Sequence, residues 1–217
     1  MKLSRIALAL GALAFNGSTA HSAAPTPPGT PQELVRKLRE GGLIIYVRHE
    51  RTTKEKAERY AEVVSADCEG DNNLIKAGGE RAISNKQAID SLRIPIGTVI
   101  SSVYCRTRET ATLMFGVPAE THLLDAAEIT ETRNHDVMRS EALGVIARET
   151  KPGTNLVLLG HREGLIAIAG ADINTGDTAI LQPVEGGPPR IIAFVSSARW
   201  TQLAADTAKT ETQGATK

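Results

Sequence analysis

Two histidines follow short apolar runs that lie far apart in the sequence. Residues 43–47 lead into Arg48 and His49, and residues 156–160 lead into His161. Apolar runs of this length are typical of buried strands, and the carboxyl ends of parallel strands meet at one edge of a sheet. We therefore expect the two imidazoles to converge at that edge.

A third apolar run brings a second arginine to the same place. Residues 98–100 open onto the segment from Ser101 to Ala111, which contains Arg106. With Arg48, two guanidinium groups would then accompany the two imidazoles. Guanidinium groups stay charged and bind two oxygen atoms each, so this set of residues suits a phosphoryl group.

Helices and strands alternate along the rest of the chain. Apolar periodicity predicts helices at 31–40, 80–92, 106–114, around 138–146 and at 164–169, and strands at 43–47, 98–100, 121–125, 156–160 and 190–195. Residues 50–73 are polar and predict a long loop or an irregular helix over the proposed site. This alternation predicts an α/β fold, a three-layer sandwich with a mainly parallel central sheet and helices on both faces.

The first 20 residues have the pattern of a secretory signal peptide. Lys2 and Arg5 precede the apolar residues 6–15, and small residues at 18–20 suit a cleavage site. A membrane anchor is the alternative, but a spanning helix needs about 20 apolar residues and this run has about ten. We expect export to the periplasm or secretion, with no stable membrane insertion after cleavage.

The mature chain is long enough for one catalytic domain with a full core. Residues 21–32 are rich in proline and predict a linker, and residues 33–200 would form the domain. Residues 201–217 carry only Leu203 as a large apolar residue, which predicts a disordered tail.

The charge balance excludes a protein that binds nucleic acids or membrane surfaces through net positive charge. Lys and Arg together number 25, as do Asp and Glu, and loss of Lys2 and Arg5 would leave a slight acidic excess. Proteins that bind nucleic acids or membrane surfaces through charge need a surplus of Lys and Arg. Neither nucleic acid nor a membrane is an expected partner, so anion binding must be local.

The chain has two cysteines, Cys68 and Cys105. Because exported proteins retain disulfides, a bond between the two is the preferred interpretation. Two unlinked thiols are the alternative. A metal site is disfavoured, since two cysteines without closely spaced histidines do not form a ligand pattern.

Several short motifs, in a fixed order, point to a known family. They are Arg48-His49, residues 74–78 before a helix, Ser101-Ser102, Arg106 with Thr110-Ala111, and Gly160-His161. Together they resemble the histidine phosphatase superfamily, also called the phosphoglycerate mutase-like fold, over about residues 42–195. The chain is most similar to the small exported bacterial members, which often share a segment like Tyr104-Cys105-Arg106.

The resemblance implies a role for each matched residue. His49 would be the nucleophile that is transiently phosphorylated. Arg48 and Arg106 would hold the non-bridging oxygens, and His161 would stabilise the charge that grows on them. Thr52 occupies the place of the family's threonine and would add a hydroxyl donor. Water would then hydrolyse the phosphohistidine, so no metal or organic cofactor is implied.

The proton donor to the leaving group is less well defined by the sequence. Family members that cleave poor leaving groups use a carboxylic acid after the middle strand. Glu128 is the preferred candidate and Glu131 also lies in the matching region. An ordinary solvated carboxylate is the alternative for Glu128, and some small members lack this acid.

One residue beside the nucleophile departs from the family pattern. A small residue usually follows the Arg-His pair, but Glu50 stands there. A carboxylate would repel phosphate unless it points away or pairs with Arg51. Alternatively, Glu50 takes the role of the acid or orients His49.

The resulting expectation is an exported histidine acid-type phosphatase that hydrolyses a phosphate monoester through a phosphohistidine. Its substrate would be a phosphorylated small molecule or an envelope glycan. One alternative is a phosphohistidine or phosphoprotein phosphatase, and another is a non-catalytic module that binds phosphorylated glycans. The sequence lacks the motifs of serine hydrolases and of nucleotide-binding loops.

Overall fold

Strands and helices alternate along the chain, as the apolar pattern predicts. The computed structural model describes residues 29–53, 68, 72–116, 118–121 and 135–215. Its strands are β1 (Ile44–Arg48), β2 (Thr52–Thr53), β3 (Asn73–Leu74), β4 (Ile96–Ser102), β5 (Ala119–Thr121), β6 (Asn155–Gly160), β7 (Thr178–Val184) and β8 (Gly187–Val195). Its helices are α1 (Pro31–Glu40), α2 (Lys76–Ser91), α3 (Cys105–Met114), α4 (His135–Glu149), α5 (Arg162–Ala169) and α6 (Arg199–Ala215).

The central sheet has six strands in the order β5-β4-β6-β1-β7-β8. The first four are mutually parallel, whereas β7 and β8 are antiparallel at one edge. The short strands β2 and β3 pair separately. The predicted mainly parallel sheet is therefore confirmed.

The antiparallel edge contains a strand that the apolar pattern does not predict. One strand is expected at 190–195, but β7 precedes it and pairs with it along its length. Glu185 and Gly186 connect the two, and Gly186 has a φ of 69°. Left-handed backbone is typical of tight hairpin turns, so this glycine allows β7 to fold back.

The two faces of the sheet bury separate hydrophobic clusters. On β1, Ile45 and Val47 pack with residues of α1, α2, α3 and α6. Ile44 and Tyr46 pack on the opposite face with residues of α4 and α5. Alternation of side chains along a strand explains this division, and the result is the predicted three-layer sandwich.

The first helix has the predicted bounds, 31–40, and these overlap the last two residues of the predicted linker. Helix α1 begins at Pro31, inside the predicted linker of residues 21–32. The Thr30 hydroxyl accepts from the Glu33 N–H at 3.1 Å, and proline is favoured at the first helical position. The helix predicted at 31–40 is therefore confirmed, and the linker assignment is wrong for residues 31 and 32.

The predicted disordered tail at 201–217 is wrong for residues 201–215, which belong to α6. Trp200 and Leu203 are buried in the core, and the Trp200 indole donates to the Thr178 hydroxyl at 3.2 Å. Glu211 also pairs with Arg39 at 2.7 Å. These contacts offset the entropy lost when the helix becomes ordered, and the composition of the segment does not show them.

Other predictions lie partly outside the described residues. The signal peptide at 1–20 does so entirely. The third predicted strand, at 121–125, overlaps β5 at Thr121. Within the described ranges, no helix is long and apolar enough to cross a membrane.

Candidate active site

The pairing of β1 with β6 places the two predicted histidines side by side. Arg48 is in register with Gly160, so His49 and His161 directly follow neighbouring parallel strands. Their ring centroids are 5.3 Å apart. Both side chains are largely buried, with 8% and 3% of their surface exposed.

The tautomer of His49 is fixed by its neighbour's main chain. Nδ1 lies 2.8 Å from the carbonyl oxygen of Glu50. A carbonyl oxygen only accepts, so Nδ1 carries the proton and Nε2 keeps its lone pair. Burial is the largest cause that lowers the pKa of His49, to about 4, and the charges of Arg106 and Arg48 add to it. His49 is therefore neutral near pH 7.

His161 lies where β6 gives way to α5 and is held by polar and aromatic side chains. Its Nε2 shares a hydrogen bond of 3.2 Å with the Ser102 hydroxyl. The Tyr104 ring packs edge-on against it, with centroids 5.3 Å apart. Burial is again the first cause of a lowered pKa, to about 2, followed by the charge of Arg106.

The positive charges of both predicted arginines act on the two imidazoles and add to burial in lowering both histidine pKa values. Arg48 donates from Nη1 to the carbonyl oxygen of Ile173 at 2.8 Å. The Arg106 guanidinium carbon lies 4.4 Å from the centroid of the Tyr104 ring, a cation–π contact. Arg106 also lies in the first turn of α3, where the peptide dipoles favour an anion.

A disulfide anchors the start of this helix. Cys68 and Cys105 are bonded, with Cα atoms 5.8 Å apart, as the sequence predicts. Cys105 directly precedes Arg106, so the bond ties the arginine's backbone to a distant part of the chain. A loop of this size contributes about 3–4 kcal/mol on a chain-entropy estimate.

Comparison with known proteins identifies the fold. No protein-family model and no curated protein matches the chain. Among solved structures, the protein histidine phosphatase SixA, complexed with tungstate, is 10% identical and superposes with a TM-score of 0.52, covering 72% of this chain and 97% of its own. A phosphoserine phosphatase mutant from Entamoeba histolytica, complexed with phosphoserine, is 12% identical with a TM-score of 0.51, covering 72% and 98%.

This chain has the histidine phosphatase fold. The arrangement agrees with the resemblance found in the sequence motifs. At these identities the likeness concerns the fold, and the chemistry must be argued from the residues of this chain.

The carboxylate of Glu50, the unusual residue after the Arg-His pair, contacts Ser197 and Gly176. The Ser197 hydroxyl donates to it at 2.5 Å, and its other oxygen fills the space beside Gly176. Its own N–H donates to the Thr110 hydroxyl at 3.0 Å. Burial raises the pKa of this carboxyl. These contacts do not support Glu50 as the acid, whereas its carbonyl does orient His49.

The remaining predicted site residues are Thr52 and Glu128, with Glu131 as the second candidate for the acid. Thr52 lies in β2, opposite Leu74 and half-buried. Glu128 and Glu131 lie outside the described residues. Among those described, no group of three or more histidine, cysteine or acidic side chains is placed to hold a metal ion.

Two functional contacts were not assigned from the sequence. Ser102 belongs to the quoted Ser101-Ser102 motif but received no role, although it bonds to His161. Tyr104 contacts both His161 and Arg106. Its place in the segment Tyr104-Cys105-Arg106 was the available signal, since an aromatic residue two positions before an arginine can stack on its guanidinium group.

Proposed function

We propose that this chain is an exported phosphatase that hydrolyses a phosphate monoester through a phosphohistidine on His49. The observation that carries the proposal is the bond between His49 Nδ1 and the Glu50 carbonyl. It leaves a neutral imidazole with a free Nε2 lone pair, and burial keeps that ring neutral. The charges of Arg106 and Arg48 act on this imidazole, and the ring of His161 lies 5.3 Å from it between centroids.

The reaction proceeds in two displacements. In the first, His49 Nε2 bonds to phosphorus while the bond from phosphorus to the ester oxygen breaks. Arg48 and Arg106 bind the non-bridging oxygens, and His161 stabilises the charge on them. The alcohol leaves with a proton, for which Glu128 is the proposed donor. In the second, water attacks phosphorus and gives its proton back to Glu128, the nitrogen–phosphorus bond breaks to restore the neutral His49 imidazole, and phosphate leaves.

Export is supported by the disulfide and by the pattern of residues 2–20. Disulfides persist in oxidising compartments such as the periplasm and are rare in the cytosol. The Cys68–Cys105 bond links Cys68 to α3, the helix that carries Arg106. We therefore place the enzyme in the periplasm or outside the cell, acting on a phosphorylated small molecule or an envelope glycan.

A phosphohistidine or phosphoprotein phosphatase is the second candidate. The likeness to SixA, a protein histidine phosphatase, favours it. An imidazole leaving group also needs less help from a general acid than an alkoxide does. Both candidates share the phosphohistidine step and differ in substrate.

Trapping of the phosphoenzyme tests the proposal. The full chain is mixed with ³²P-labelled phosphate ester, quenched, and assayed for label that is stable in alkali and labile in acid. We expect such label and turnover of p-nitrophenyl phosphate in the wild type and in His135→Ala, but neither in His49→Ala. His135 lies at the start of α4 and serves as the matched histidine control.

Three results decide between the alternatives. Turnover that survives in His49→Ala would overturn the nucleophile assignment. Faster hydrolysis of a phosphohistidine-containing protein than of all esters in a metabolite and glycan panel would favour the second candidate. Tight vanadate binding without turnover of any substrate would instead identify a binding module.

A further inference from the structure

The Tyr46 hydroxyl is buried beside the main chain of His161. Tyr46 lies in the middle of β1 and is fully inaccessible to solvent. Its hydroxyl donates to the His161 carbonyl oxygen at 2.6 Å. Burial is the largest cause that raises the pKa of Tyr46, so the hydroxyl keeps its proton and remains a donor.

This bond is the shorter of two that the His161 carbonyl accepts. The helical bond from the Leu165 N–H spans 3.5 Å, well beyond the usual length for such bonds. His161 is the N-cap of α5, with extended backbone angles. Tyr46 therefore fixes the peptide group through which β6 delivers the imidazole, at the point where the helix has not yet constrained it.

Gly164 leaves the space that the hydroxyl occupies. A Cβ atom built on Gly164 would overlap the Tyr46 oxygen, while the ring carbon that bears the oxygen would be 3.5 Å away. Gly164 is inside α5 and is not among the glycines with positive φ. Glycine costs a helix about 0.5–1 kcal/mol relative to alanine. Room for the hydroxyl, rather than backbone freedom, explains the glycine here.

We propose that Tyr46, in the space provided by Gly164, is a positioning residue that holds His161 in place for phosphoryl transfer. The proposal rests on the proposed function for the reaction and adds a residue to its machinery. Because His161 acts on charge that develops in the transition state, its displacement lowers kcat more than it raises KM.

The paired residues permit a double-mutant test. Tyr46→Phe removes only the oxygen, and we expect kcat to fall about tenfold with KM changed less than about twofold, as for loss of one buried hydrogen bond. Gly164→Ala forces the hydroxyl off the carbonyl and should lower kcat further. The double variant should recover to the level of Tyr46→Phe, since the overlapping oxygen is then absent.

Two measurements separate positioning from stability. Thr178→Val removes another buried hydroxyl, the acceptor of the Trp200 indole, on the face of the sheet opposite to Tyr46. It should lower the melting temperature as Tyr46→Phe does while kcat stays unchanged. The ¹⁵N signals of the His161 ring, measured without substrate, should move in Tyr46→Phe and not in Thr178→Val.

Specific outcomes would overturn the inference. They are an unchanged kcat in Tyr46→Phe, unmoved His161 signals, or additive losses in the double variant. Failure of the proposed function is a different result, because the wild type itself would then show no turnover and no phosphoenzyme. The ring signals would still report in that case whether Tyr46 positions His161.

Discussion

The two halves of the candidate site hold their imidazoles in different ways. His49 is oriented by a main-chain acceptor, the Glu50 carbonyl. His161 is held by two side-chain hydroxyls, from Ser102 at its ring and Tyr46 at its carbonyl. A main-chain acceptor is present whatever side chain occupies position 50. The tautomer of His49 should therefore resist substitution at position 50, whereas the placement of His161 depends on side chains that mutation can remove.

Replacement of each histidine by asparagine should give the largest contrast between the halves. His49→Asn removes the nitrogen proposed to attack phosphorus, so we expect no phosphoenzyme. His161→Asn removes one stabilising group, for which a loss of about 10²- to 10³-fold in kcat is typical. Slow ³²P labelling should therefore persist in His161→Asn. The comparison would be reversed if labelling survived only in His49→Asn.

Titration of the His49 and His161 rings should show a second difference between the two imidazoles. Burial lowers the pKa of His49 from 6.5 to about 4 and that of His161 to about 2. NMR should show both rings neutral at pH 5, with His49 protonated first on further acidification. The unfolded chain takes up these protons at higher pH, so the free energy of unfolding should fall as pH drops below 6.5. Midpoints near 6.5 for both rings would contradict this expectation.

Much of this site could be predicted because it depends on the ends of strands. The apolar runs before His49 and His161 fix where β1 and β6 end, and parallel pairing then brings the rings together. The Cys68–Cys105 bond was predictable from the cysteine count and the signal pattern.

Other features depend on contacts between residues far apart in sequence. Nothing near Tyr46 indicates that its hydroxyl meets residue 161, 115 positions away. The same holds for Trp200, whose burial orders the final helix. The contact between the Glu50 carboxylate and Ser197 likewise joins residues that are far apart in sequence. Local pattern supplies elements and their ends, but it does not supply such long-range pairs.

Glu50→Gln tests whether only the main chain of residue 50 matters to His49. The amide oxygen can still accept from Ser197, and kcat should stay within about twofold because the carbonyl is unchanged. Since burial raises the folded-state pKa of Glu50 above 4.5, its ionisation destabilises the fold as pH rises through that range. The variant should therefore gain stability over wild type from pH 4.5 upward, measured by urea denaturation.

Ser197→Ala is the matched opposite of that change. It removes the hydroxyl that donates to the carboxylate, so wild-type Glu50 becomes costlier to ionise and stability at pH 7 should fall. For Glu50→Gln, a large loss of kcat with folding intact would show that the side chain of residue 50, and not its carbonyl, positions the His49 imidazole.

The smallest effect is expected at an ion pair on the rim of the site. Asp172 accepts from the Arg162 guanidinium at 2.7 Å and from the Ile173 N–H at 2.7 Å. The Ile173 carbonyl in turn accepts from Arg48. Asp172→Asn weakens this support, and an exposed pair contributes only about 0–1 kcal/mol, so we expect KM to rise about two- to threefold and kcat to hold.

A second exposed pair provides the control for that measurement. Lys86 and Asp90 lie 2.9 Å apart, and their side chains are 46% and 62% exposed, the same fractions as Arg162 and Asp172. Asp90→Asn should match Asp172→Asn in melting temperature. It should leave KM unchanged, because this pair lies on α2 and does not contact Ile173. Equal KM values in the two variants would show that the rim pair does not reach Arg48, and that the arginine is held by its main-chain acceptor whatever the charge at position 172.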